Sequence, residues 1–171
     1  GETRVAATPE TAKKIIGLGH DIVVETGAGV AASMPDSQYE AAGAKIVASA
    51  ALALAGADLV LKVAAPMPGE LSGLKAGAGV AAQLNPYGDK AGVEALAQGG
   101  YAALAMEFIP RITRAQAMDS LSSQSNLAGY RAVIEAASLY GRGFPMMMTA
   151  AGTVAAAKCF VMGVGVAGLQ A

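Results

Sequence analysis

The chain is short of the residues on which several kinds of protein depend. A single cysteine, Cys159, among 171 residues cannot close an internal disulfide, which fits a reducing compartment and points to the cytoplasm. The one histidine, His20, lies at a helix-to-strand turn with no cysteine or second histidine beside it, so neither a metal centre nor histidine-based catalysis is expected there. Twelve basic residues against thirteen acidic ones leave a formal net charge of -1. With no basic block and no row of aromatic platforms, nucleic acid is set aside as a partner. No stretch reaches the roughly 18 consecutive apolar residues that a spanning helix needs, and no charged leader precedes an apolar core, so this chain is expected not to cross a membrane itself. The most apolar region, Met146 to Ala171, is interrupted by Thr149, Thr153, Lys158 and several glycines, and reads as a buried strand with turns.

Hydrophobic residues are abundant: at 54% of the chain they are ample for a core, in one domain or in one domain and the beginning of another. Thr8-Pro9-Glu10 combines an N-cap, a proline at the first helical position and an acid in the first turn, which predicts a helix through Ala12, Ile15 and Ile16 that ends at Gly17 and Gly19. A short strand follows at Ile22–Val24, then a turn over Thr26–Gly29, a short helix over Ser37–Ala42 and a strand at Lys45–Val47. Residues 49–57 read as helix, Asp58–Val63 as strand, and Pro66, Pro68 and Gly69 as an enforced loop. Val80–Leu84 is the next strand. Asp89, in the turn Asn85–Asp89, is placed to cap a helix over Lys90–Ala97, and Tyr101–Phe108 reads as a buried strand. Helices alternating with continuous apolar strands predict an α/β fold with a parallel sheet flanked by helices. In such sheets ligands bind beyond the carboxyl ends of the strands. That rule draws attention to Lys62, to Gln83–Asn85 and to the segment after Pro110; an ammonium inside an apolar strand also needs a partner. Arg4 has no hydrophobic context and reads as a surface residue.

Pro110–Arg131 is the most polar part of the chain. Thr113 and Gln116 fit a capping box, which places a helix start there. Ser122–Asn126 are five consecutive uncharged polar residues, hard to account for as packing because on a helix they would face every direction. Two readings stay open: a site that meets something polar, or a capped solvated loop in which Asp119 pairs with Arg111 or Arg114. Leu127, Tyr130, Ile134 and Ala137 then recur at helical spacing.

Residues 157–162 have a strand pattern and run directly into Gly163-Val164-Gly165-Val166-Ala167-Gly168, a G-x-G-x-x-G sequence before a predicted helix. That is the setting of a dinucleotide fingerprint. Gly163 would make a tight turn, Gly165 would let the backbone approach a pyrophosphate, and Gly168 would allow close packing of helix on strand. An acidic residue expected to hold the adenine ribose about 20 positions later falls beyond Ala171. An ordinary strand-to-helix turn remains the competing reading.

The segment PRITRAQAMDSLSSQSNLAGYRAVIEAASLYG, with MTAAGTV and GVGVAGLQA behind it, RVAATPETAKKIIGLGHDIVVETGAG at the start and LNPYGDKAGVEALA between, resembles the alanine dehydrogenase/transhydrogenase superfamily. Within it the likeness is to the NAD(H)-binding alpha component of proton-translocating NAD(P) transhydrogenases, over nearly the whole chain. The resemblance implies an N-terminal domain over residues 1–124, an interdomain helix over 125–142 and the start of a Rossmann-type NAD(H)-binding domain over 143–171. It implies that Arg111, Gln116 and Asp119 lie on a loop closing on the nicotinamide, with Gln116 positioning. Arg114 and Ser122 join them as cofactor-binding residues, with Gly163, Gly165, Val166 and Gly168 at the phosphates. The implied cofactor is NAD(H), with NADP(H) on a partner component. The implied partners are that component, a membrane-embedded proton channel and a second copy of the chain, in the cytoplasm and peripheral to the inner membrane. The chain is expected to be a fragment that holds NAD(H) poorly alone. An amino-acid oxidoreductase of the alanine dehydrogenase type is the alternative: Arg4 and Lys62 match its pattern, but Val80–Asp89 contains no histidine for the acid-base step. A noncatalytic truncated module is the third reading.

Overall fold

The computed structural model describes all residues, Gly1–Ala171, and they gather into two units, Gly1–Phe108 and Ile109–Ala171. In the first, α1 (Pro9–Gly17) begins where the Thr8 hydroxyl accepts from the Thr11 amide, with Pro9 at the first helical position. β1 (Val23–Glu25) and β2 (Lys45–Val47) pair in parallel, Val24 opposite Ile46, with α2 (Asp36–Ala41) between them in sequence. The turn after β1 is braced by Asp36, whose carboxylate accepts from the Thr26 hydroxyl at 2.6 Å and the Gly27 amide at 2.9 Å. Buried Tyr39 donates its hydroxyl to the Ala7 carbonyl at 2.9 Å and, with Ala12 and Ala44, centres a small core.

The larger core lies under a second sheet. α3 (Ala50–Leu54), capped by Ser49, precedes β3 (Leu59–Ala64); β4 (Gly79–Gln83), α4 (Lys90–Gln98) and β5 (Ala102–Ala105) follow. The strands pair in parallel in the order β3-β4-β5, so β4 is central, and Val80 and Ala82 on it are fully buried. Leu54, Leu71, Leu74, Leu84 and Leu96 pack with them. Asp89 caps α4 through the Gly92 amide at 2.9 Å, as its place in the turn predicts. On the other face, Leu61, Ala81 and Leu104 lie in register, and the two leucines are exposed.

Tyr101–Phe108 is not one buried strand. β5 stops at Ala105, Met106–Phe108 turn as a 3₁₀ helix, and Leu104 is 53% exposed because β5 is an edge with a neighbour on one side only. The turn brings Glu107 back to the end of β4, where its carboxylate accepts from the amides of Asn85 at 2.6 Å and Leu84 at 3.2 Å. Desolvation raises the pKa of Glu107, but these amide hydrogen bonds outweigh it and the net shift is downward.

The second unit contains α5 (Ser120–Leu139), an antiparallel hairpin of β6 (Met147–Thr149) and β7 (Gly152–Val154), and α6 (Val166–Gln170). The buried strand expected over 157–162 is absent: these residues form no regular element, and Phe160 and Met162 are exposed. A strand needs a neighbour for its amides and carbonyls. β6 and β7 pair only with each other, which leaves 157–162 without one.

Candidate functional site

The polar stretch after Pro110 folds differently from its capping-box reading. Thr113–Met118 wind as a 3₁₀ helix with Ile112 at its N-terminus and no side-chain cap. The cap is made by Asp119, which accepts from the amides of Leu121 at 3.0 Å and Ser122 at 3.2 Å and from the Ser122 hydroxyl at 2.6 Å. A charged acceptor satisfies orphan helix amides more strongly than a neutral threonine does, so the α-helix starts at Ser120. The Ser122 hydroxyl and amide, the Leu121 amide and the nearby Arg111 charge hold the Asp119 carboxyl below its ordinary range. Ser122–Asn126 therefore lie on the first turns of α5, not in a loop.

On that helix Ser122 and Ser125 are three residues apart and share a face. They line an open cleft of about 360 Å³ together with Arg111, Leu121 and the glycine-rich turn: Met162, Gly163, Gly165, Val166, Ala167 and Gly168. Gly163 has φ 101°, a left-handed conformation that strains any residue with a Cβ. A Cβ on Gly168 would collide with the Gly163 carbonyl oxygen, so this glycine permits close packing within the turn. At Gly165, with φ -77°, a Cβ would meet nothing within 4 Å. What that position keeps clear is space outside the protein.

Six of the sequence-predicted site residues thus meet at one cleft: Arg111, Ser122, Gly163, Gly165, Val166 and Gly168. Arg114 and Gln116 are exposed on the preceding 3₁₀ turn and do not line it, and Asp119 reaches it only through Ser122. Ser125 is the polar wall residue that reasoning by residue role missed. Its signal was its place three residues after Ser122, legible once the run is read as helix. Lys62, singled out as a cation in an apolar strand, pairs with Glu70. Burial raises the Glu70 pKa, but bonds from Lys62 and the Met67 amide more than offset it and leave the carboxyl lowered. Arg4 pairs with Glu2 at 2.8 Å. No helix is long and apolar enough to cross a membrane.

The N-terminal domain profile of the alanine dehydrogenase/PNT family matches residues 1–128, and the C-terminal domain profile of the same family matches residues 132–171. The first of the polypeptides that make up NAD(P) transhydrogenase subunit alpha in Rhodospirillum rubrum is 54% identical over 176 aligned positions, covering 100% of this chain and 46% of the relative. The crystal structure of transhydrogenase from Sinorhizobium meliloti superposes with a TM-score of 0.94 at 56% identity, over 99% of this chain and 48% of that one. An L-alanine dehydrogenase structure superposes with a TM-score of 0.84 at 27% identity, over 99% of this chain and 47% of that one. The chain spans about half the length of the curated relatives it matches first.

Proposed function

The chain belongs to the alanine dehydrogenase/PNT family, and from that premise we propose that it is part of the NAD(H)-binding component of a proton-translocating NAD(P) transhydrogenase, which passes hydride between NAD(H) and NADP(H) coupled to proton movement across a membrane. The observation that carries the reading is the cleft between the first turns of α5 and the glycine-rich turn. Its chemistry fits a dinucleotide. Arg111 brings a cation to the wall, Ser122 and Ser125 bring neutral donors and acceptors, and Gly165 leaves its backbone open to close approach.

A bound nicotinamide supplies the carbon that gives or takes hydride, and the chain's part is to bind and orient. Gly163 and Gly168 set the path of the turn, Gly165 faces the pyrophosphate, and Arg111 offsets phosphate charge. Asp119 holds Ser122 through its hydroxyl. Gln116 and Arg114, on the exposed 3₁₀ turn, reach toward the nicotinamide end, with Gln116 acting by position and Val166 packing beside the phosphates. We keep as part of this proposal an N-terminal domain over 1–124, a connection over 125–142 within which α5 ends, and the start of the cofactor domain over 143–171. The partners proposed are an NADP(H)-binding component, a membrane-embedded proton channel and a second copy of the chain, at the cytoplasmic side of the inner membrane. The amino-acid dehydrogenase reading is less well supported, because Val80–Asp89 offers no histidine and Lys62 is tied to Glu70.

Calorimetric titration of the full-length protein with NADH tests the site. Gly165→Val adds a side chain to open space at an ordinary φ, so the fold is expected to persist while binding falls by at least about tenfold, the equivalent of roughly 1.4 kcal/mol. Unchanged affinity would make the turn a packing feature and remove the site from this cleft.

A further inference from the structure

Two side-chain-free backbone approaches run in series from α5 to the glycine-rich turn. Gly129 is buried in the middle of α5, and a Cβ there would collide with the carbonyl oxygen of Ala167 on α6. Gly168, the next residue along α6, is pressed in the same way on the carbonyl of Gly163. Near the far end of α6, Asn126 Nδ2 donates to Gln170 Oε1 at 2.8 Å. Gly129 stands four residues after Ser125 and seven after Ser122, so all three lie along one face of α5. The two walls of the cleft, the hydroxyl face of α5 and the turn Gly163–Gly168, are therefore held apart by a spacing that is fixed at Gly129.

We propose that Gly129 is a positioning residue of the dinucleotide site, one that sets the depth at which α6 seats on α5 and so the width of the cleft, with the Asn126–Gln170 bond fixing the rotation of α6. The inference rests on the reading of the glycine-rich turn as the dinucleotide site. Gly129 touches no ligand. It acts by what it lacks: any Cβ lifts α6, carries Gly168 and Gly163 with it, and moves the turn away from Ser122 and Ser125. Helix propensity runs the other way. Glycine is a poor residue for the middle of a helix and alanine the best, so a glycine kept for α5 alone would gain from replacement.

The test measures NADH affinity by fluorescence titration, with the melting temperature, for variants of the full-length protein. Gly129→Ala is expected to bind NADH about tenfold more weakly, with a melting temperature held or raised. Asn126→Leu, at an exposed position that the fold tolerates, is expected to bind about threefold more weakly, and exchanging the pair as Asn126→Gln with Gln170→Asn is expected to restore part of the loss. Gly165→Val serves as the control for the site. If Gly165→Val abolishes binding while Gly129→Ala binds as the unaltered protein does, the positioning role is wrong and the site stands. A lowered melting temperature with unchanged affinity likewise makes Gly129 a packing residue and overturns the proposal. Should Gly129→Ala fail to fold, unchanged affinity in Asn126→Leu overturns it instead. If Gly165→Val binds normally, the site itself is misplaced and the positioning role falls with it.

Discussion

In Gly1–Phe108 eleven apolar side chains are buried, from Ala12 to Leu96, whereas in Ile109–Ala171 Ala115 is the only one. The first unit is therefore held by the removal of side chains from water, in the layer of leucines around β4. The second is held by other means: the Asp119 cap, the hydrogen bonds of α5, and glycines that let backbones touch at Gly129 and Gly168. Apolar residues of α5, among them Leu127, Tyr130 and Ile134, are exposed. Weakly buried segments are where proteins put the parts that meet ligands, because such parts must respond to binding. The cleft with Arg111, Ser122 and the glycine-rich turn belongs to the second unit.

The comparison breaks most visibly on a pair of leucines. Leu84, 3% exposed at the end of β4, should cost about 2–5 kcal/mol on replacement by alanine. Leu127, 58% exposed on α5, should cost no more than about 0.5 kcal/mol. Denaturant melts of the two variants decide it, and equal losses would mean that α5 is buried in solution.

The two units also differ in how much of them could be read from sequence. In the first, the signals are local. Thr8-Pro9 starts α1, Asp89 caps α4, and Lys45–Val47 is a strand with the bounds its apolar run predicts. Lys62 gained its partner from Glu70, eight residues on across a loop, which no pattern in the strand itself announces. In the second unit two locally plausible elements failed for nonlocal reasons. Thr113 and Gln116 have the capping-box spacing, but the charged Asp119 forms the cap. Residues 157–162 are strand-like and have no strand to pair with. The glycine spacing was readable, and so were the separate duties at Gly163 and Gly168. That a Cβ on Gly129 would strike Ala167 depends on α5 meeting α6, some forty residues apart in sequence, and nothing local encodes it.

The next effect concerns the exposed 3₁₀ turn of the second unit. Since Gln116 does not make the capping box, Gln116→Ala should leave the melting temperature in place. In the assembled enzyme it should slow hydride transfer by up to about a hundredfold, the consequence of a misplacement near 1 Å, with NADH affinity little changed. Stopped-flow rates beside equilibrium titration separate the two quantities. An unaltered rate would remove Gln116 from the site.

A smaller effect is expected in acid. The Asp119 carboxyl is held low in the folded protein by Ser122, Leu121 and Arg111, so its contribution is fully present above the unfolded carboxylate value of about 4. It is lost as the pH falls through the depressed native value. Helix content followed by circular dichroism should drop in that acid range, and Asp119→Asn should flatten the drop. A drop of the same size in the variant would assign the acid sensitivity to other carboxylates. Smallest is Glu107→Gln in the first unit. It weakens the charge-assisted bonds to the Leu84 and Asn85 amides at an exposed position and should cost about 1 kcal/mol. A loss comparable with that of Leu84→Ala would show that the end of β4 depends on this carboxylate as much as on its core.

Hydrogen-deuterium exchange of the full-length protein with and without NADH puts the central claim to its most direct test. Within this chain, NADH is predicted to slow exchange at residues 111–126 and 162–170 while leaving β4, Gly79–Gln83, unchanged. Protection confined to Gly1–Phe108, with the glycine-rich turn exchanging at its free rate, would contradict the account.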